Sequence, residues 1–274
     1  MKNALVTGSF GFIGSNLLKR LSIHGFTVSI FEEIDIHPKL IESEVRDKIE
    51  ECKPDVIFHV GASADTLQTN IEYMMLFNYQ FTKFLANVAK ERNIPLIYSS
   101  SAANYGINGK YPSNLYGWSK YVAEDYVLAM GGLALRYFNV YGPGEEHKRN
   151  MASFAYQAFI NSKSGKSVKL FPGEPKRDFV YIDDVVAANI HALEFFDSGK
   201  GRYFEVGSGS ANKFETLLEM MQIKYGYELK ENIPEGYQFY TCSDPERWLP
   251  NWKPKYDIEQ GISAYLKYLE STSS

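Results

Sequence analysis

Short runs of apolar residues alternate with longer segments of helical periodicity along the first half of the chain. Five of these runs predict strands: residues 4–6, 28–31, 55–60, 95–98 and 133–138. They are apolar at consecutive positions, as is typical of strands that helices cover on both faces. The pattern therefore predicts βα units and an α/β fold with a doubly wound parallel sheet.

The pattern changes in the second half of the chain. A polar stretch follows Gly142-Pro143, and from Tyr225 onward four prolines limit long helices. They are Pro234, Pro245, Pro250 and Pro254. We expect a smaller lobe, formed by residues 144–177 and 208–274, over the carboxyl edge of a sheet domain formed by residues 1–143 and 178–207.

Composition and charge narrow the class of protein. The 274 residues carry a formal charge of −4, and without a broad basic field we expect no nucleic-acid partner. Cys52 and Cys242 stand far apart with no CxxC spacing, which predicts reduced thiols and neither a metal site nor a disulfide framework. No run approaches the ~18 apolar residues needed to cross a bilayer, and no signal-peptide core follows Met1. We expect a soluble, cytoplasmic protein without a membrane partner.

Three glycines at GxxGxxG spacing lie between the first predicted strand and a helix that runs to about His24. Glycine lets the backbone turn tightly and approach a pyrophosphate, whose charge the positive end of the helix stabilises. The alternative is a glycine turn that only packs the helix on the strand. The residues predicted to contact a dinucleotide here are Gly8, Phe10, Gly11, Phe12, Ile13 and Gly14.

An acidic residue ends the second apolar run, about 20 residues after the glycines. Glu32 at this position can accept hydrogen bonds from both hydroxyls of an adenosine ribose. A 2′-phosphate would face Glu32, Glu33 and Asp35 with no base before Lys39. We therefore expect NAD or NADP, with NAD favoured; the alternative for Glu32 is a solvated carboxylate at a strand end.

Tyr116 and Lys120 form a YxxxK pair, which lies on one face if the segment is helical. The spacing is common by chance, and Tyr79 with Lys83 is a second instance that we interpret as incidental. Position distinguishes the first pair, because it follows a predicted strand that runs into Ser101 and two further serines. Small hydroxyl residues at the carboxyl end of a parallel strand indicate a site, where Ser101 can hold a substrate oxygen for Tyr116.

The chemistry needs a phenol that gives up its proton readily, although free tyrosine has a pKa near 10. A lysine charge ~4 Å away supplies only ~1 kcal/mol in bulk water, but ~4 kcal/mol at an effective dielectric constant near 20. We therefore expect a partly enclosed site in which Lys120 lowers the pKa of Tyr116, with further positive charge from the oxidised nicotinamide. In that state Tyr116 would remove a hydroxyl proton as hydride passes to the dinucleotide.

The chain resembles the extended short-chain dehydrogenases, whose fold is a Rossmann-type sheet with a substrate lobe. The stretches that carry the resemblance include GSFGFIGSN (8–16), NYQ (78–80), SSAA (100–103), YGWSK (116–120) and RYFNVYGP (136–143). A subgroup of epimerases acting on ADP-heptose sugars is indicated by HK (147–148), KLF (169–171), KRDFVY (176–181) and YQ (237–238).

The resemblance implies a nucleotide-sugar epimerase that oxidises and re-reduces its substrate with a recycled NAD(P), and it implies a homo-oligomer. Ser101, Tyr116 and Lys120 would be catalytic, with Lys148 as a second acid–base group. Asn78 would contact the cofactor together with Tyr116 and Lys120. The remaining substrate-binding residues implied are Asn139, His147, Lys148, Phe171, Arg177 and Tyr237. For Lys148 and Arg177 the alternative is a solvated surface charge.

Several readings stay open within the same chemistry. A UDP- or GDP-sugar 4-epimerase, or a one-way ketoreductase, needs only the same serine, tyrosine and lysine. Ala102 and Ala103 disfavour a dehydratase or decarboxylase, which needs an acidic residue there. A non-catalytic dinucleotide sensor is the alternative from another class. The segments from Glu32 to Pro54 and from Ser101 to Tyr116 are shorter than is usual in the family, so the identity of the sugar stays open.

Overall fold

The chain is described by a computed structural model covering residues 2–32, 41–107, 109–234 and 237–272. Glu33, Asp35 and Lys39, which entered the comparison of NAD with NADP, lie outside these residues. Two compact units divide the chain. The first contains residues 1–136, 186–204 and 249–252; the second contains 137–185, 205–248 and 253–274. The roles predicted for domains 1–143 with 178–207, and 144–177 with 208–274, stay predictions.

Strands and helices alternate through the first 137 residues. The strands are β1 (Asn3–Thr7), β2 (Thr27–Phe31), β3 (Val56–His59), β4 (Leu96–Ser101), β5 (Leu133–Tyr137), β6 (Asn139–Tyr141), β7 (Val168–Leu170), β8 (Lys176–Tyr181), β9 (Tyr203–Val206), β10 (Ala211–Lys213) and β11 (Tyr225–Tyr227). The α-helices are α1 (Phe12–Ile23), α2 (Ile41–Cys52), α3 (Ile71–Met75), α4 (Phe81–Glu91), α5 (Leu115–Ala129), α6 (Phe154–Lys163), α7 (Ile182–Glu194), α8 (Phe196–Gly199), α9 (Phe214–Met220) and α10 (Ile258–Thr272). A π-helical turn (Leu76–Gln80) joins α3 to α4.

The main sheet has six strands in the order β2-β1-β3-β4-β5-β9. β1 pairs in parallel with β2 and β3, and β3 pairs in parallel with β4. The predicted parallel α/β sheet is confirmed, and each of the five predicted strands is present. The strand order reverses between β1 and β3, where open α/β sheets bind ligands beyond the carboxyl ends of their strands.

The central strands of the sheet are covered on both faces and are mostly apolar, whereas the edge strand β2 is partly exposed. Leu5, Ile57 and Tyr98, on three neighbouring strands, are fully buried and pack with residues of α2, α4 and α5 such as Val45 and Leu85. Burying an aliphatic side chain of this size stabilises the fold by roughly 1.5–3 kcal/mol. The core holds the polar carboxyl ends of β1, β3 and β4 side by side.

The second unit contains a three-stranded sheet, β10-β8-β6, and a two-stranded pair, β11-β7. Residues 228–257 hold only short helical turns within the described residues, as the prolines predict. The long helix α10 begins four residues after Pro254, in a part of the chain that contains no proline. Asp184 anchors the approach to α10 by accepting hydrogen bonds from the backbone N–H groups of Lys255 and Tyr256, at 2.8 and 3.0 Å.

None of the helices in the described ranges has the length and apolar character needed to traverse a lipid bilayer. The same part of the chain contains no group of three or more His, Cys, Asp or Glu side chains arranged to hold a metal ion.

Candidate active site

The glycine turn joins β1 to α1 with very little space. Gly8 has a φ of +66°, and a Cβ on it would lie 2.4 Å from the Cα of Gly61. A Cβ on Gly14 would lie 2.0 Å from the carbonyl oxygen of Gly8. The backbone N–H of Gly11 donates to that same oxygen at 3.0 Å. Packing alone therefore requires glycine at two of the three predicted positions.

The amino end of α1 fits an anionic ligand. Gly11 is its N-cap and has no side chain to cap the first turn, and that turn contains no acidic residue. Phe10, before the cap, is 72% exposed. The partial positive charge of a 12-residue helix thus meets no carboxylate of its own first turn, which suits a pyrophosphate.

Glu32 stands beside the glycine turn. Its Oε1 accepts hydrogen bonds from the backbone N–H and the hydroxyl of Ser9, both at 2.6 Å. This contact brings the end of β2 against the loop after β1, where the ribose was expected. The contact of Glu32 with a ribose stays a prediction. Ser9 was not singled out from the sequence, although its place inside the glycine motif was a signal.

Replacing Gly14 with alanine should weaken NAD binding more than tenfold, because the new methyl group meets the Gly8 carbonyl and must displace the turn. Isothermal titration calorimetry measures the change. Gly226→Ala is the control, since a Cβ at Gly226 meets nothing within 4 Å and its φ is not positive. Unchanged NAD affinity in Gly14→Ala would show that the turn does not hold the dinucleotide.

Ser101 and Tyr116 come together at the carboxyl end of β4. Their hydroxyls share a hydrogen bond, and the Ser101 Oγ also accepts from the backbone N–H of Ala103 at 3.1 Å. Tyr116 lies in the first turn of α5, which the side chain of Asn114 caps by accepting from Gly117 N–H at 2.8 Å. Both predicted residues are half-buried.

Lys120 follows one turn later on α5 and is 2% exposed. Its Nζ lies over the ring of Tyr98, 4.3 Å from the centroid, a cation–π contact that stabilises the ammonium in a buried place. The helical placement of Tyr116 and Lys120 agrees with the YxxxK prediction. Their catalytic roles stay predictions.

The predicted lowering of the pKa of Tyr116 by Lys120 is wrong for this structure. Burial raises the pKa of the Tyr116 phenol above its ordinary value, and the hydrogen bond with Ser101 only partly opposes that effect. Removing water disfavours the phenolate more than the protein's own groups favour it. Further positive charge, or a substrate hydroxyl that donates to the phenol oxygen, has to supply the difference.

A buried ion pair supports this site and was not anticipated. The carboxylate of Glu124, on α5, accepts from Arg136 at 2.5 Å, from the Ser100 hydroxyl at 2.5 Å and from the Asn104 amide at 3.1 Å. The guanidinium carbon of Arg136 also lies 3.6 Å from the centroid of the Tyr203 ring. Glu124 thereby ties α5 to the segment around Ser101. Its spacing of four residues from Lys120 was the one signal in the sequence.

Asn78 lies in the π-helical turn and is 1% exposed. Its amide exchanges hydrogen bonds with the backbone N–H and carbonyl of Ser63, at 2.7 and 3.0 Å, and donates to the Ser119 hydroxyl at 2.9 Å. Both ends of the amide therefore pair with the protein itself. The structure shows a link between α5 and the loop after β3, while direct contact with a cofactor stays a prediction.

In the second unit, Lys148 lies on a short 3-10 helix (Glu146–Met151) together with the exposed His147. Burial lowers the pKa of the Lys148 ammonium, and the charge of Glu145 partly opposes this. Glu145 is fully buried and accepts from the hydroxyls of Ser153, at 2.7 Å, and Tyr265, at 2.8 Å. It also accepts from the backbone N–H of Ser153. A lysine whose pKa is lowered by burial is suited to proton transfer.

A pocket of about 280 Å³ in the second unit is lined in part by Phe171 and Tyr237, whose rings lie 5.0 Å apart. Arg177 is 8% exposed and lies 5.3 Å from the centroid of the Tyr237 ring. It donates to the backbone carbonyls of Lys176 and Gln238. Among the described residues no carboxylate pairs with Arg177. Asn139 is exposed at the start of β6.

A parallel sheet with a glycine turn at its switch point and a serine, tyrosine and lysine beside it defines a dinucleotide-dependent α/β enzyme. The chain belongs to the NAD dependent epimerase/dehydratase family, whose model matches residues 4–207. The resemblance to the extended short-chain dehydrogenases is thereby confirmed.

The chain matches several relatives along nearly the whole of both chains. The chain is 33% identical to an ADP-L-glycero-D-manno-heptose-6-epimerase of Brachyspira hyodysenteriae, covering 98% of each. Its structure is similar to that of the Helicobacter pylori enzyme of the same name, with 29% identity, a TM-score of 0.84 and coverage of 98% of this chain and 96% of that one. It shares its fold with a UDP-glucose 4-epimerase of Thermotoga maritima, with 24% identity, a TM-score of 0.86 and coverage of 99% and 100%.

Proposed function

We propose that the protein epimerises one carbon of a nucleotide-activated sugar, most similar to an ADP-heptose, through transient oxidation and re-reduction. The observation that carries this proposal is the hydrogen-bonded pair Ser101–Tyr116 at the end of β4, with Lys120 one turn further along α5. The 33% identity with a 6-epimerase over nearly the whole chain supports the choice of sugar.

Each residue of the first unit has a proposed role at the reacting oxygen. Ser101 holds the sugar oxygen, and Tyr116 takes its proton during oxidation and returns a proton during reduction. Lys120 supplies positive charge from its buried position on α5. NAD, when bound at the glycine turn, supplies the hydride acceptor and then the donor, together with the positive charge of the oxidised ring.

The second unit supplies the proposed substrate contacts. Epimerisation presents two opposite faces of one carbon, so a second acid–base group is useful, and Lys148 with its lowered pKa suits that role. Arg177 without a carboxylate partner among the described residues suits a diphosphate. Phe171 and Tyr237 offer ring faces and edges to a nucleotide base. Asn139 and His147 complete the proposed contacts.

The test is a panel of ADP-, GDP-, UDP- and dTDP-sugars incubated with the enzyme and catalytic NAD or NADP, each followed by NMR. We expect inversion of one carbon with no net change in the cofactor. Consumption of cofactor in proportion to product would show a one-way reductase instead. No reaction with any sugar, in an enzyme that binds NAD, would overturn the proposal.

Lys148 also predicts a pH dependence. If protonated Lys148 donates during reduction, turnover falls as pH rises through its lowered pKa. The basic limb of the pH profile of kcat should then lie below the ordinary lysine pKa of about 10.4. Lys148→Arg should lower kcat and move that limb to higher pH, because a guanidinium keeps its proton. The exposed Lys166→Arg is the control. An unmoved basic limb in Lys148→Arg would exclude Lys148 as its source.

We further propose that the protein acts in the cytoplasm as a homo-oligomer. Tyr111 and Trp118 support self-association, since both are exposed and their rings stack with centroids 6.1 Å apart. Sedimentation velocity reports the number of subunits.

A further inference from the structure

His59 is a buried titratable residue to which the proposed mechanism gives no role. It ends β3 and is fully buried. Its Nδ1 lies 2.7 Å from the Thr7 hydroxyl, and its Nε2 lies 2.7 Å from the Thr82 hydroxyl. Both ring nitrogens are therefore engaged, each by a group that can either donate or accept.

The neighbours of the two threonines fix the direction of these hydrogen bonds. Thr82 lies 2.8 Å from the backbone carbonyl oxygen of Asn78, which can only accept, so its hydroxyl proton points there. Thr82 must then accept from His59, which places a proton on Nε2. Thr7 accepts from the backbone N–H of Gly61 at 3.1 Å, and its own proton is available to Nδ1. These residues form one row of hydrogen bonds, from Gly61 through Thr7, His59 and Thr82 to Asn78. A neutral imidazole protonated on Nε2 gives every donor in the row an acceptor.

The surroundings of His59 favour the uncharged ring. The rings of Phe81 and Tyr98 lie 5.4 Å from it, on α4 and β4. The ammonium of Lys120 approaches from α5. Burial, together with the charge of Lys120, lowers the pKa of His59 well below its usual value. Burial raises the pKa of the Tyr98 phenol, which therefore keeps its proton. His59 and Tyr98 are therefore both neutral, and Lys120 is the charged member of the three.

The row of hydrogen bonds connects two parts of the candidate active site. At one end, Gly61 packs against Gly8 of the glycine turn. At the other, the side chain of Asn78 donates to the Ser119 hydroxyl, which donates to the backbone carbonyl of Tyr116 at 2.7 Å. His59 is the one side chain that spans from β1 to α4 in this row.

We propose that His59 is a positioning residue whose neutral, Nε2-protonated ring holds the glycine turn in register with the helix that carries Tyr116 and Lys120. The proposal rests on the function proposed above. His59 touches no reacting atom and acts through Thr7, Thr82 and Asn78. Its proton stays in place throughout turnover, because the carbonyl of Asn78 keeps Thr82 as the acceptor for Nε2, and because burial beside Lys120 disfavours a second proton on the ring.

The proposal predicts a spectroscopic signature that needs no turnover. In long-range ¹H–¹⁵N NMR spectra, assigned among the five histidines by His59→Gln, we expect His59 to show a protonated Nε2 and a bare Nδ1. This pattern should persist from about pH 5 to pH 9. Thr82→Val removes the acceptor for Nε2 and should shift the proton toward Nδ1, whereas Thr82→Ser keeps it on Nε2. A cationic or Nδ1-protonated ring in the wild type overturns the proposal.

Turnover should follow the tautomer. Thr82→Val leaves polar atoms unpaired beneath the site and should lower kcat about tenfold with little change in the KM for the sugar, while Thr82→Ser restores most of kcat. Thr27→Val is the control for replacing a threonine with valine, because Thr27 is exposed on β2 and outside the row of hydrogen bonds. Wild-type kcat in Thr82→Val overturns the proposal. The function proposed above would fail in a different way, if the wild-type enzyme turned over no sugar. The NMR measurement on His59 does not depend on turnover, so the two failures can be told apart.

Discussion

Replacing Tyr116 with phenylalanine is expected to lower kcat about a thousandfold while the protein continues to bind NAD. The change removes only the hydroxyl that shares a hydrogen bond with Ser101, and proton transfer by a positioned group contributes roughly 10²–10⁴-fold to the rate. The ring remains to fill its place in the first turn of α5. Turnover of the sugar identified by the substrate panel, together with calorimetric NAD titration, measures both effects.

Tyr79→Phe is the matched control, because Tyr79 and Lys83 have the same spacing as Tyr116 and Lys120. The Tyr79 ring packs edge-on against Tyr126, with centroids 6.1 Å apart, and Lys83 also approaches Tyr126. We expect turnover in this variant to stay near that of the wild type. Full activity in Tyr116→Phe would remove the tyrosine from the mechanism and, with it, the epimerase proposal in its present form.

Glu124→Gln should lower the free energy of unfolding by about 3–5 kcal/mol. Glu124 and Arg136 are 3% and 7% exposed, so removing the carboxylate charge leaves a guanidinium uncompensated away from water. In the wild type, burial lowers the pKa of Arg136, and the hydrogen bonds and charge of Glu124 outweigh that effect and raise it. The ordinary pKa of a guanidinium lies far above neutral pH, so the arginine keeps its charge in the variant even without the carboxylate. Urea unfolding followed by circular dichroism measures the loss.

The exposed pair between Arg46 and Glu91 provides the comparison. Its atoms approach to 2.6 Å, almost the same distance as in the buried pair, but both side chains are well exposed. Solvent screens such a pair, and we expect Glu91→Gln to leave the unfolding midpoint nearly unchanged. Equal effects of the two substitutions would show that Arg136 finds another partner or regains water when Glu124 is neutralised.

Local pattern was sufficient for the elements that position the site. Short apolar runs predicted β1 to β5, because strands that helices cover on both faces are apolar at most positions. The same pattern predicted β2, although this edge strand is partly exposed. The glycines at 8 and 14 were predictable because their backbones approach other backbone atoms too closely for a side chain. The YxxxK spacing placed Tyr116 and Lys120 on the same helix because four residues make about one turn.

The contacts between elements were decided by the tertiary structure. Asn78 pairs with Ser63 and Ser119, and Glu124 with Arg136, because packing brings together segments whose spacing along the chain carries no signal. His59 was read from the sequence only as part of an apolar strand, although its partners lie on β1 and α4.

The chain's own sequence thus determined the first five strands of the main sheet, the glycine turn, the helix with its tyrosine and lysine, and the family. The three-dimensional packing alone decided the protonation behaviour of the site, including the raised pKa of Tyr116 and the lowered pKa of Lys148. The physical reason is that a pKa depends on how much water and charge surround a group in space. Neighbours in space come from elements far apart in sequence, and no local pattern records them.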